Sequence, residues 1–143
     1  MIFITLGSQK FQFNRLLKAI DDLNIKEDIF AQIGYSDYRP KNYQYKKFLD
    51  RDEFDKVMET ADIVITHGGT GAIIGAVKKG KKVIAVPRLA KCGEHVDDHQ
   101  IQLVEQFKEL NLIYACEDMD LEKALKIVKK TVYKKYQSNT SRI

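Results

Sequence analysis

The sequence predicts an α/β domain built on a single Rossmann-like, doubly wound and mainly parallel sheet. Short apolar segments alternate with amphipathic segments along nearly all of the 143 residues. Residues 63–65 and 83–86 are apolar on both faces, which is typical of parallel strands covered by helices on two sides. The length suits one domain, and an apolar content of 44% suffices for its core.

Each predicted strand is a short run rich in apolar and β-branched or aromatic residues that stops at glycine, proline or polar residues. The predicted strands cover residues 2–6, 29–34, 43–49, 62–66, 82–86 and 112–115. Each predicted helix has apolar residues three or four positions apart. The predicted helices cover residues 14–23, 52–61, 70–79, 96–110 and 121–136. We expect Asn14 to cap the first helix and Gly80 to end the third.

The charges are divided unevenly along the chain. Residues 121–143, the predicted basic C-terminal helix and tail, hold seven basic residues and one acid, a net charge of +6. The remaining 120 residues hold 17 basic and 19 acidic residues, a net charge of −2. A body of this charge argues against a nucleic-acid partner. Two cysteines make no disulfide framework, and no apolar run resembles a signal peptide or a membrane span. We therefore expect a reduced, cytoplasmic protein.

Three loops at the predicted carboxyl edge of the sheet, where such sheets bind ligands, carry unusual residues. Gly7 and Ser8 follow the first strand, residues 67–71 (His-Gly-Gly-Thr-Gly) follow the fourth, and residues 88–100 follow the fifth. Glycines let the backbone approach a ligand, and the N–H groups that begin the next helix suit a phosphate. Residues 67–71 therefore predict a phosphate site, with a plain turn and a packed His67 as alternatives.

The third loop combines carboxylate, imidazole and amide groups in residues 94–100. Such groups both donate and accept hydrogen bonds, as recognition of sugar hydroxyls requires. Helix capping is an alternative explanation for the acids at 97–98. Cys92, His95 and His99 have metal-ligand character, and a helix would put the two histidines on one face, but no fourth ligand accompanies them. We therefore expect no metal.

Two further patterns have cheaper explanations. The glycines at 69, 71 and 75 miss the dinucleotide-binding spacing by one residue and follow a middle strand, which argues against NAD. The Asp-x-Asp patterns at 50–52 and 118–120 resemble the metal motif of many sugar transferases. Both stand just before predicted helices, where capping explains them.

On these motifs the chain resembles the C-terminal, donor-binding half of a GT-B glycosyltransferase of family 28. More closely, it is similar to the stand-alone soluble subunits of two-component UDP-sugar transferases, namely that of the dolichol-pathway UDP-N-acetylglucosamine transferase and those of bacterial capsule and exopolysaccharide synthesis. The residues that carry the resemblance lie in segments 5–13, 61–71, 80–82 and 86–100. The similarity spans roughly residues 1–113.

The resemblance implies a role for each matching residue. The donor diphosphate would meet Gly7, Ser8, His67, Gly68, Gly69, Thr70 and Gly71, and the nucleoside would meet Gly34 and Arg88. The donor sugar would meet Glu94, His95, Asp98, His99 and Gln100. His67 is one candidate for the catalytic base, with a partner subunit as the alternative source of that base, and the UDP-sugar is a substrate that needs no further cofactor. One position departs from the family, because Gly75 stands where relatives usually carry a ribose-binding glutamate.

The resemblance implies the donor-binding subunit of an inverting transferase. It would move a hexose or N-acetylhexosamine from a UDP-sugar to a lipid-diphosphate-linked acceptor in capsule or exopolysaccharide synthesis. A GT-B cleft lies between two domains, so a membrane-associated acceptor-binding subunit would hold this one peripherally at the inner face of the membrane. A non-catalytic scaffold and a nucleotide enzyme complete in one domain are alternatives. Self-association of the isolated chain is also expected.

Overall fold

The structure is a computed structural model that describes residues 1–7 and 10–136. Its strands are β1 (Ile2–Thr5), β2 (Ile29–Gln32), β3 (Gln44–Lys46), β4 (Ile63–His67), β5 (Lys82–Val86) and β6 (Tyr114–Ala115). Its α-helices are α1 (Asn14–Asp22), α2 (Arg51–Thr60), α3 (Thr70–Lys78), α4 (His99–Glu109) and α5 (Leu121–Lys130). A short 3₁₀ turn covers Ala90–Cys92.

All six strands are parallel and lie in the order β3-β2-β1-β4-β5-β6. Because alternate side chains of a strand point to opposite faces, the core divides into two layers. Ile2, Ile4 and Ile65 pack with α1 and α5 on one face. Phe3 and Val64 pack with residues of α2, α3 and α4 on the other. The predicted doubly wound parallel sheet is confirmed.

The predicted helix over residues 96–110 begins three residues later, at His99. The Asp98 carboxylate accepts a hydrogen bond from the N–H of Ala90, and the Asp97 carboxylate accepts one from the N–H of His99. These bonds fold residues 96–98 into a loop, so the expectation that His95 and His99 share a helical face was wrong.

The last predicted helix, over residues 121–136, ends six residues early. Thr131 has an extended backbone, and the N–H of Lys134 bonds to the carbonyl of Asn111. Tyr133 and Tyr136 pack against the two core layers, which favours an extended segment over further helical turns. The tail from residue 137 lies outside the described residues.

Side-chain hydrogen bonds test three predicted helix caps. Phe13, not Asn14, is the N-cap of α1, and the Asn14 side chain instead binds residues 37 and 38 of a loop. Asp50 caps α2 in a reciprocal arrangement with Glu53, and Asp120 caps α5. Capping therefore accounts for both Asp-x-Asp patterns. In the part of the chain that the structure describes, no helix has the length and apolarity to cross a bilayer.

Candidate functional site

The imidazole of His67 lies at the carboxyl edge of the sheet, at the end of β4. It is 5% exposed and fits between two glycines. A Cβ added to Gly7 would lie 2.8 Å from the Nε2 atom of His67, and one added to Gly69 would lie 2.4 Å from its Cε1 atom. Burial, followed by the positive charges of Arg88 and His95, lowers the pKa of His67 to about 4. The imidazole is therefore neutral at physiological pH.

Helix α3 starts directly after this imidazole, with Gly69 as its N-cap. No side chain caps it among the described residues, and its first turn holds no acidic residue. Thr70 and Gly71 are exposed, and a Cβ at Gly71 would meet nothing within 4 Å. Among the described residues, the first turn of this helix is thus left without a side-chain cap, and an uncapped helix N-terminus suits an anion.

Gln100, the second residue of α4, joins the loops after β4 and β5 at this edge. Its side-chain Oε1 accepts hydrogen bonds of 3.0 Å from the N–H of Gly68 and from the N–H of Arg88. Its Nε2 lies 3.2 Å from the Nδ1 of His67. A Cβ at Gly68 would lie 2.9 Å from the Cβ of Gln100, so only glycine lets α4 approach β4 this closely.

The guanidinium of Arg88 is 1% exposed and is turned into the protein. It donates to the carbonyls of Leu6 at 2.7 Å, Phe11 at 3.0 Å and Glu94 at 3.3 Å, and it lies 5.0 Å from the Phe13 ring centroid. Burial lowers its pKa to about 10, so it stays charged at neutral pH. Arg88 therefore ties the loop after β1 to the loop after β5.

The carboxylate of Glu94 is also buried. It accepts two hydrogen bonds of 2.9 Å from Arg15 and one of 3.0 Å from the N–H of Leu89. This pairing raises the pKa of the Arg15 guanidinium. Both carboxylate oxygens of Glu94 thus hold α1 against the loop after β5.

The other predicted sugar residues lie nearer the surface. Asp98 and His99 are exposed, and the half-buried His95 ring lies 5.9 Å from the ring of Phe11, centroid to centroid. Within residues 1–7 and 10–136, no three His, Cys, Asp or Glu side chains are grouped closely enough to hold a metal ion. The Cys92, His95 and His99 pattern is therefore not gathered into a ligand set.

Gly34 lies where the loops after β1 and β2 meet. It has a φ of +59°, and a Cβ there would lie 3.2 Å from the carbonyl oxygen of Gly7. Beside it, the exposed rings of Tyr35 and Phe48 stand edge to face, 5.1 Å apart. These residues help to line a cavity of about 240 Å³.

The structure brings together most of the predicted site and uses some of its residues differently. Gly7, residues 67–71 and Gln100 meet at one edge, whereas Ser8 lies outside the described residues. Gln100, Arg88 and Glu94 direct their polar groups into the protein, so their contacts with a sugar or nucleoside stay predictions. Sequence reasoning missed the aromatic pair, although two aromatic residues flanking neighbouring strand ends were a usable signal.

Comparison of sequences identifies a family and several relatives. Residues 1–142 match the glycosyltransferase family 28 C-terminal domain. The mouse (Mus musculus) UDP-N-acetylglucosamine transferase subunit ALG13 is 28% identical over 124 residues, which are 78% of this chain and 10% of that protein. The human (Homo sapiens) subunit is 28% identical over 125 residues, 79% of this chain and 11% of that protein. The chain thus spans about a tenth of the length of these two relatives.

Solved structures share the fold. An NMR structure of ALG13 has a TM-score of 0.65 at 16% identity and is matched over 99% of this chain and 91% of that one. The glycosyltransferase of kitacinnamycin has a TM-score of 0.68 at 19% identity, over 91% of this chain and 35% of that one. MurG of Acinetobacter baumannii has a TM-score of 0.58 at 19% identity, over 90% and 41%. The fold, the glycine-rich edge and the family match over residues 1–142 agree: the chain belongs to the glycosyltransferase family 28 C-terminal domain family.

Proposed function

We propose that this chain is the donor-binding subunit of an inverting glycosyltransferase. It binds a UDP-sugar, and with a membrane-associated partner subunit it transfers a hexose or N-acetylhexosamine to a lipid-diphosphate-linked acceptor. UDP-N-acetylglucosamine is the first donor to test, because the similar subunits belong to UDP-N-acetylglucosamine transferases. The acceptor we propose is a lipid-linked precursor of a capsule or exopolysaccharide.

The uncapped start of α3 is the observation that carries this proposal. Its uncapped first turn lies beside Gly69 and the neutral His67, at the edge where parallel sheets of this type bind ligands. A UDP leaving group gains negative charge as the glycosidic bond breaks. Fixed donors and a helix dipole stabilise that charge without needing a metal.

The cavity at the end of β2 supports a binding site for the uracil ring of the nucleotide. Tyr35 and Phe48 are 51% and 46% exposed, and aromatic faces are suitable stacking partners for a uracil ring. Gly34 and Gly7 join this cavity to the edge that holds His67. A nucleoside there would place its diphosphate toward α3.

The C-terminal part of the chain supports contact with a membrane-associated partner. Lys134 and Lys135 project from the segment after α5, beside Val132, which is 88% exposed. A cationic surface with an exposed apolar side chain favours an anionic membrane surface or an acidic partner. This attraction would hold the subunit peripherally at the cytoplasmic face.

A ligand-detected NMR titration of the purified chain tests donor binding. We expect UDP and UDP-N-acetylglucosamine to bind in preference to GDP, AMP and NAD. Gly71→Asp should weaken UDP binding about tenfold or more, because its carboxylate competes with the diphosphate for the first turn of α3. Gly71→Ala is the matched control, since the site has room for a methyl group. Equal binding by both variants would contradict a diphosphate at α3.

A non-catalytic nucleotide-sugar-binding or scaffold module, regulating a partner transferase, is the second candidate. Gly75 favours it, because the ribose-binding glutamate implied by the family resemblance is absent from that position. If the assembled pair of subunits retains full transfer activity when Gly71→Asp abolishes UDP binding by this chain, the scaffold function is favoured.

A further inference from the structure

We propose that Gln100 is a positioning residue that fixes His67 as a neutral hydrogen-bond donor, with its proton on Nε2 at the edge of the sheet. In this state His67 donates to a bound anion and does not act as the general base. The tautomer stands on the geometry alone, whereas the contact with a diphosphate rests on the function proposed above.

The orientation of the Gln100 side-chain amide is the first step. Its Oε1 lies 3.0 Å from two backbone nitrogens, those of Gly68 and Arg88. A backbone N–H only donates, so the atom that faces both of them must be the amide oxygen. The NH₂ group of Gln100 must then be the atom that faces His67.

The protonation of His67 follows from that orientation. The amide Nε2 of Gln100 only donates, so the imidazole Nδ1, 3.2 Å away, must accept. A neutral imidazole with an accepting Nδ1 carries its proton on Nε2. An imidazolium would direct a second N–H at the same NH₂ group and would add a positive charge beside Arg88. Burial, followed by the charges of Arg88 and His95, lowers the pKa of His67 to about 4, which keeps the ring neutral.

The position of Nε2 indicates what its proton can bind. A Cβ at Gly7 or at Gly69 would lie within 3.0 Å of the ring. Because glycine has no Cβ, the ring edge can contact the loop after β1. The hydrogen bond that the described residues give this ring is the one between Nδ1 and Gln100. This N–H and the N–H groups of the first turn of α3 are all donors, a set that suits phosphate oxygens. The lone pair that a base needs is held by Gln100.

Imidazole ¹⁵N NMR spectra of the full chain test the tautomer directly. In the wild-type protein, we expect two-bond and three-bond proton couplings that identify His67 as the Nε2–H form between about pH 5.5 and 8. Observation of the Nδ1–H form or of an imidazolium in this range would overturn the proposal, and this measurement needs no variant.

Gln100→Glu tests the positioning role. One carboxylate oxygen still accepts hydrogen bonds from the N–H groups of Gly68 and Arg88. The other oxygen faces Nδ1 of His67, which must then carry a proton to donate to it. We expect the ¹⁵N signals to change to the neutral Nδ1–H form. The affinity for UDP should then fall about tenfold, because Nε2 no longer carries the proton that it donates. Gln102→Glu is the matched control, because it adds the same charge on the exposed side of α4.

The outcomes separate the two parts of the inference. An unchanged His67 tautomer in Gln100→Glu would overturn the positioning role, whatever the affinity for UDP. A changed tautomer with unchanged UDP affinity would leave the positioning role standing and would contradict the contact between His67 and the diphosphate. If His67 responds while the wild-type chain binds no uridine nucleotide, the proposed function fails and the tautomer assignment survives.

Discussion

At the scale of single residues, the imidazole of His67 gives the fold a distinct dependence on pH. Its pKa is about 4 in the folded protein, lowered by burial and then by Arg88 and His95, against 6.5 for an ordinary histidine. The unfolded chain therefore binds more protons between these values. The stability that this group contributes is complete above about pH 6.5 and is lost as the pH falls toward 4.

We expect the free energy of unfolding to fall by about 2 kcal/mol between pH 7 and pH 5 through His67 alone. Urea unfolding of the wild type and of His67→Gln at both pH values measures this loss, since glutamine carries no titrating group. The variant His99→Gln, at an exposed position, is the control. Its free energy of unfolding should change between the two pH values as in the wild type. An equal pH dependence in His67→Gln and wild type would contradict a buried neutral imidazole.

At the scale of secondary-structure elements, α3 determines how tightly a nucleotide can bind. Gly75 lies on the exposed side of this helix, where an added Cβ would meet no atom within 4 Å. Gly75→Glu should place a carboxylate where the family resemblance implies a ribose contact. We expect about tenfold tighter UDP binding, the effect of one hydrogen bond to a charged group. The ligand-detected NMR titration measures it.

The Gly75→Ala variant distinguishes the effect of the added carboxylate from the effect of a more stable helix. Replacement of a mid-helix glycine by alanine stabilises a helix by up to about 1 kcal/mol without adding any polar contact. We expect Gly75→Ala to raise the melting temperature and leave UDP affinity unchanged. The same gain in affinity from both variants would show that a firmer helix, and not a ribose contact, tightens binding.

The elements differ in how far the sequence determines them. The buried strands β4 and β5 were predictable because β-branched residues apolar on both faces favour only a covered parallel strand. The start of α4 was not, because the Asp98 carboxylate bonds to Ala90, a contact between loops that no local pattern encodes. The extended segment after Lys130 was missed because its lysines fit a helical surface, while Tyr133 and Tyr136 pack elsewhere.

The candidate site shows the same division. Gly7, Gly69 and His67 were predictable as a group, since glycines after parallel strands converge at one edge. Gln100 and Glu94 were predictable as functional neighbours but not in orientation. Their side chains turn inward because they accept hydrogen bonds from backbone N–H groups and from Arg15. The positions of these donors depend on how separate loops pack.

At the scale of the whole molecule, the proposed transfer needs both a site for the leaving diphosphate and a base for the acceptor. In the proposed function, the first turn of α3 and the Nε2–H of His67 would be the donors that face the leaving diphosphate. Transfer also needs a base for the acceptor hydroxyl, and the lone pair of His67 is bonded to Gln100. Under the proposed function, this chain would stabilise the departing group, and activation of the acceptor would fall to another subunit.

We therefore expect the isolated chain to bind UDP-N-acetylglucosamine and to transfer no sugar from it to a lipid-linked diphosphate acceptor. The assay follows release of UDP by the purified chain, with and without acceptor, and then by the chain expressed together with its partner subunit. Activity should appear only in the pair and should fall with Gly71→Asp, while Gly71→Ala keeps it. Acceptor-dependent turnover by the isolated chain would instead show that a base lies on this one domain.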